Sequence, residues 1–196
     1  MARTTFGLPD TLALRPVAQN AWSDVAKFCD HPNMSMADLE IYRATTADWR
    51  AVRDIRLRAL TDAPEAFGST YAREVAFTED DWTRRLASED SATFLGRLGG
   101  RPVGIIGGWR DGAGIELVSM WVDPAARGKG VAKPLIDAVV TWGAAIGEKR
   151  VHLWVTAGND AAYTLYERCG FVDTGERQPL PSNPDLTEIG MERTLP

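Results

Sequence analysis

Cysteine is scarce in this chain of 196 residues, and the two present, Cys29 and Cys169, lie too far apart to form a metal-ligand pattern. They read as reduced thiols, and no metal is expected. Histidine is equally rare: His31 falls among poorly patterned residues, and His152, within V-H-L-W-V, reads as a strand histidine rather than a catalyst. No apolar run is long enough to span a bilayer and the amino terminus has no apolar signal region, so a cytoplasmic protein without membrane contact is expected. A basic excess is also missing. With 22 Lys and Arg against 27 Asp and Glu, the net charge of -5 excludes nucleic-acid binding through a broad positive surface, and any basic site must be local. What the chain does have is 44% hydrophobic residues, enough for one core, in a length that suits a single domain with an extension.

Residues 1–38 are interrupted by Gly7, Pro9, Pro16 and Pro32 and read as an arm or outer layer. Leu12–Val17 could form a strand there and Gln19–Phe28 one short helix. The domain proper is placed at 39–196. Its first strand is Glu40–Ala44, followed by a helix capped at Thr45 or Thr46 and running to Leu60 with Trp49, Val52, Ile55 and either Arg56 or Ala59 on one face. Ala63–Glu74 has no clear period and reads as a loop, of the kind that selects substrates, although a solvated face is the plainer reading of Tyr71 and Glu74. Thr78 caps a second helix ending near Ala87. Ala92–Arg97 and Pro102–Arg110 pair across a Gly99-Gly100 turn, and Ile115–Val122 makes a third antiparallel strand. Further on come a strand at Arg150–Thr156, a helix at Asn159–Cys169, a strand opening at Gly170, a proline-rich loop at Pro179–Pro184 and a last strand at Glu188–Thr194. This order predicts an α/β fold with a mixed, splayed sheet and helices on both faces.

The chain is organised around Asp123–Ala132, D-P-A-A-R-G-K-G-V-A, which turns a strand into a helix through two glycines. The helix stripe is Val131, Leu135, Ala138, Val139, Trp142 and Ile146. Gly128 and Gly130 leave the backbone bare where several amides converge at the positive end of a helix, and Arg127 and Lys129 add charge, so the loop suits a polyanion. A mononucleotide P-loop needs Ser or Thr after its lysine, but Lys129 is followed by Gly130. A dinucleotide fingerprint needs a third glycine where Lys133 stands. Both are excluded. Pro134 leaves the exact start of the helix open.

Arg127, Gly130 and Ala132, together with a downstream block of Asn159, Ala162, Leu165, Tyr166, Gly170 and Phe171, resemble the GCN5-related N-acetyltransferase (GNAT) family over roughly residues 40–194. The resemblance implies the acyl-CoA N-acyltransferase fold and acetyl-CoA as cosubstrate. It also implies that the amides of Arg127, Gly128, Lys129, Gly130, Val131 and Ala132 hold the pyrophosphate, that the backbone of Val122 pairs with the pantetheine arm, and that Asn159 contacts that arm, although a helix cap is nearly as good a reading. By the same resemblance Tyr166 lies near the sulfur, where a phenol can protonate the leaving thiolate. A packed anchor is its bland alternative, and Tyr163, one turn earlier, is a decoy. Glu116 is the candidate base, because period 2 places Glu116, Val118, Met120 and Val122 on one face of the strand. A strand-end glutamate in solvent is as good a reading of it. The expected acceptor is the primary amine of a small molecule. A protein lysine or amino terminus, or a non-catalytic acyl-CoA sensor, remain as alternatives, and a homodimer is implied by the family alone. Cys169, Trp82, Trp109, Trp121 and Trp142 read as core or interface residues.

Overall fold

The structure, a computed structural model, describes residues 38–196. The arm, with its candidate strand, helix, Cys29 and His31, lies outside the described residues. Seven strands form one sheet in the order β1-β2-β3-β4-β5-β7-β6, comprising β1 (Leu39–Arg43), β2 (Ser91–Leu98), β3 (Arg101–Arg110), β4 (Ile115–Val122), β5 (Arg150–Thr156), β6 (Val172–Leu180) and β7 (Asn183–Thr194). Only β4 and β5 pair in parallel, so the sheet is mixed. The joins from β2 to β3 and from β3 to β4 are local. Gly99 and Gly100, both at positive φ, close β2 on β3 in two residues, the backbone twist that a tight hairpin requires.

Each face of the sheet carries its own core. On one side α1 (Trp49–Asp62) and α3 (Glu79–Ala87) bury Val52, Ile55, Leu60 and Trp82 against Leu95, Ile105 and Trp121. On the other, α4 (Ala132–Ala145) and α5 (Asp160–Arg168) bury Leu135, Ile136, Val139, Tyr166 and Phe171 against Leu117, Val151, Leu153 and Met191. Helix starts follow the side chains read from sequence. Asp48 accepts the Thr45 amide at 2.9 Å ahead of α1, and Asp81 accepts the Thr78 amide at 2.9 Å to close the cap of α3. Pro134 is the third residue of α4, within the first turn, where its missing N–H leaves no helix bond unmade.

Two loop readings are corrected. Ala63–Glu74 contains a 3-10 turn at Pro64–Ala66 and α2 (Tyr71–Glu74), whose Thr70 cap accepts from the Arg73 amide at 3.3 Å. Four helical residues are too few to show a period. Pro179–Pro184 is the tip of a β6–β7 hairpin, with Pro181 and Ser182 as its turn. Pro179 is tolerated there because β6 is an edge strand, one side of which needs no ladder donors.

Candidate active site

Strands β4 and β5 pair at only two positions, Ile115 with Val151 and Glu116 with His152, and then part. A β-bulge accompanies the parting. Val118 faces Gly107 and Trp121 faces Ile105, so Ser119 and Met120 stand against Ile106 alone, with Ser119 at φ 60. The extra residue breaks the period-2 reading of this strand. Glu116, Val118 and Trp121 share the α1 face, while Leu117 and Val122 share the other, so the prediction of Glu116, Met120 and Val122 on one face is wrong.

Beyond the bulge, the backbone amide of Asp123 donates to the Val103 carbonyl at 2.8 Å, which makes the adjacent Gly104–Val122 pair a non-hydrogen-bonded one. The N–H and C=O of Val122 therefore point into the gap. The carbonyl is not free, because Arg127 Nε donates to it at 3.0 Å. Arg127 is also ion-paired with Asp62 of α1. Its guanidinium braces the loop against α1. Asp123 adds a second brace, accepting from Arg58 of α1 at 2.6 Å and capping its own turn through Ala125 N at 3.0 Å. Trp121 Nε1 donates to Asp62 at 2.9 Å.

The loop that these contacts hold has Gly128 and Gly130 at φ 74 and 78. The amides of Arg127 and Lys129 donate to Pro124 and Ala126 carbonyls, both at 3.3 Å. Among the described residues, those of Gly128, Gly130, Val131 and Ala132 have no acceptor within the protein. Four amides without acceptors thus stand at the start of α4, where the helix dipole adds to them, and Lys129 is exposed beside them. Asn159 caps α5, its Oδ1 accepting from Ala162 N at 3.3 Å.

A cleft of about 600 Å³ opens on the α1 face, between α1, α2, α3 and the sheet. Its floor includes Glu116, Trp154 and Glu188, and it reaches Tyr166. Tyr166 belongs to the core of the opposite face, so the cleft meets it through the gap between β4 and β5. The ring is buried and packs edge-on against Phe171 at 5.8 Å. Burial, helped by the Cys169 thiol, drives the phenol pKa upward, so it keeps its proton at neutral pH. The decoy Tyr163 instead donates to Asp173 at 3.4 Å. Cys169 is buried, and burial raises its pKa too, which leaves an unreactive thiol.

Glu116 is half-buried. Burial raises its pKa and Asp111 adds to the rise, against the pull of His152 and Trp109. His152 Nε2 lies 3.0 Å from Asp111 Oδ2, which keeps the imidazole in the strand and beside the carboxylate. Three contributions escaped sequence reading. Glu188, buried on β7, accepts from Gln178 at 3.0 Å, and both burial and the charge of Glu116 raise its pKa. The signal for it was the alternation Glu188, Gly190, Glu192 on the face opposite Ile189 and Met191. Glu74, read as solvated, is 1% exposed and accepts from Arg56 Nε and Nη2 at 3.1 and 2.9 Å. Trp109, read as a core or interface aromatic, is 49% exposed and lines the cleft beside Glu116, its partner across the strand pair.

Residues 49–171 match the model of the acetyltransferase (GNAT) family. An uncharacterised N-acetyltransferase of Methanocaldococcus jannaschii is 25% identical over 69% of this chain and 65% of its own length. The N-acetylaspartate synthetase of Danio rerio is 35% identical over 53% of this chain and 37% of its own. The chain therefore spans less than two thirds of the curated relatives it matches. An acetyltransferase of GNAT family from Streptococcus pneumoniae superposes with a TM-score of 0.69 at 20% identity, covering 81% of this chain and 99% of that one. With the family model spanning the glycine loop, the parted strands and Tyr166 together, the chain belongs to the acetyltransferase (GNAT) family.

Proposed function

We propose that this protein transfers an acetyl group from acetyl-CoA to the primary amine of a small molecule, by direct attack in a ternary complex. One observation carries this reading: a cleft on one face of the sheet reaches, through the gap between β4 and β5, a protonated phenol rooted on the other face. Donor and acceptor could thus approach from opposite sides and meet without a covalent enzyme intermediate. The residues fit the donor. Four amides without acceptors at Gly128, Gly130, Val131 and Ala132 suit a pyrophosphate, and the outward N–H of Val122 suits an amide of the pantetheine arm. Acetyl-CoA supplies the acetyl group as a thioester.

The chain's own residues handle the protons. An alkylammonium has a pKa of about 10.4 and must lose a proton before its nitrogen can form the new bond to carbon. Glu116 is suited to accept that proton, directly or through a water, because burial makes its carboxylate a stronger base than an exposed one. As the carbon–sulfur bond breaks, a thiolate with a thiol pKa of about 8.5 leaves, and Tyr166 Oη holds the proton that neutralises it. Glu188 adds negative charge at the acceptor end, which favours a cation.

The test is thiol release from acetyl-CoA across amines, amino acids, aminoglycoside-type antibiotics and peptides, beside calorimetry with acetyl-CoA alone. Turnover with a small amine supports the proposal. Binding without turnover on any acceptor would identify a sensor instead, and turnover on peptides alone would identify a protein acetyltransferase.

A further inference from the structure

The cleft has a charge asymmetry that a simple amine leaves unexplained. Glu116 on β4 and Glu188 on β7 make one end acidic. Along the wall formed by α1, α2 and α3 stand three guanidiniums, Arg56, Arg73 and Arg85, with Glu74 as the one carboxylate among the residues lining that wall. Glu74 is shared, since it accepts from Arg56 Nε and Nη2 while Arg85 Nη1 lies 3.5 Å away. One carboxylate against three fixed cations leaves this wall positive.

A second observation points the same way. Arg56 is only 7% exposed, and its Nη1 has no hydrogen-bond partner among the described residues. An unpaired guanidinium N–H in a buried position carries its full desolvation cost, and such groups normally have a partner. Arg73 stands exposed on the same wall. Arg56 Nη1 is closed off from the cleft, so its charge adds to the wall without a partner among the described residues, and an anion brought by the ligand would balance the surplus.

We propose that the acceptor is an amine that also carries a carboxylate, held with its ammonium toward Glu116 and Glu188 and its carboxylate against Arg56, Arg73 and Arg85. This rests on the transferase reading above and specifies its substrate class: an amino acid whose own amine is acetylated. A planar carboxylate, with two acceptor oxygens, matches the donor fork of an exposed guanidinium such as that of Arg73. The two ends together select the zwitterion. A diamine would place its second cation against the arginines, and an amino phosphate would bring a third oxygen and a second charge.

The experiment compares matched acceptors with the full chain: α- and ω-amino acids of graded length, their carboxamides, the corresponding decarboxylated amines, and amino-alcohol phosphates. Thiol release gives kcat and KM, and calorimetry with free CoA present reads acceptor binding without turnover. At least one amino acid is expected to bind and react at least about tenfold better than its carboxamide and amine. Arg73→Gln and Arg85→Gln, both at exposed or half-exposed positions that spare the core, are expected to shrink that advantage through KM. Equal use of charged and neutral acceptors, or preference for the phosphates, would overturn the inference while leaving the transferase reading intact. Thiol release from none of them, nor from the wider set of amines and peptides above, would overturn the transferase reading, whereas carboxylate-dependent binding in the calorimeter would still support the anionic pole.

Discussion

Tyr166 and Glu116 show how far a residue's chemistry can be read before its surroundings are known. The phenol was identifiable because Asn159 to Phe171 forms a block, yet its protonation rests on burial that no sequence period reveals. Tyr166→Phe should lower kcat by about a hundredfold or more and leave acetyl-CoA affinity nearly unchanged, read by thiol release and calorimetry side by side. Unaltered kcat would remove it as the acid. A carboxylate serves as a base only when ionised, and the pKa of Glu116 is raised, so with Glu116 as the proposed base kcat/KM should fall as pH drops through that raised value, above the ordinary glutamate range. Glu116→Gln should flatten this limb and reduce the rate at neutral pH. A limb that persists unshifted in the variant would assign the titration to another group. Trp109 and Glu188 were not legible as site residues, because polar or aromatic character alone does not say which face of a strand is covered.

At the scale of elements, the strand, the loop and the helix from Ile115 to Ala145 were read with nearly the right bounds, since two glycines and an apolar stripe mark them unambiguously. The bulge at Ser119 was not. An inserted residue leaves no trace in composition and shows only where β3 supplies a register to compare. That one residue decides that Glu116 and Val122 serve opposite faces. The loop itself depends on αL geometry. A Cβ at Gly128 would meet nothing within 4 Å, so Gly128→Ala tests backbone strain without a steric clash. At φ 74 an alanine costs about 1 kcal/mol or more. Acetyl-CoA binding should weaken several-fold while kcat at saturation changes little. A normal Kd would show that the loop tolerates the strain or does not hold the ligand. The Ala63–Glu74 segment illustrates the opposite case, in which tertiary contact creates the element. Its four-residue helix is completed by a carboxylate buried against Arg56.

Over the whole molecule, Glu74 links α2 to α1 and α3 and shapes the wall of the cleft. Burial alone would raise its pKa, but hydrogen bonds and charge from Arg56, with Ser69 and Arg85, outweigh burial and lower it. Because the folded value is depressed, its stabilisation is present above the ordinary carboxylate range and is lost as pH falls through the lowered value. Glu74→Gln leaves Arg56 buried without its counter-charge and should destabilise the fold by about 3–5 kcal/mol. Denaturant titrations should also show a smaller loss of stability on acidification than in the unsubstituted protein. Equal acid sensitivity in both would place the titration elsewhere. By itself the sequence determined the family, the glycine loop, the two-faced sheet and the acid candidate, because each rests on short-range spacing: glycines in a turn, stripes at 3.6 residues and a block of adjacent positions. Only the tertiary structure decided which groups meet across the gap between β4 and β5. Glu116, Glu188, Tyr166 and the arginines come from strands and helices far apart in the chain, and their charge states depend on what buries them.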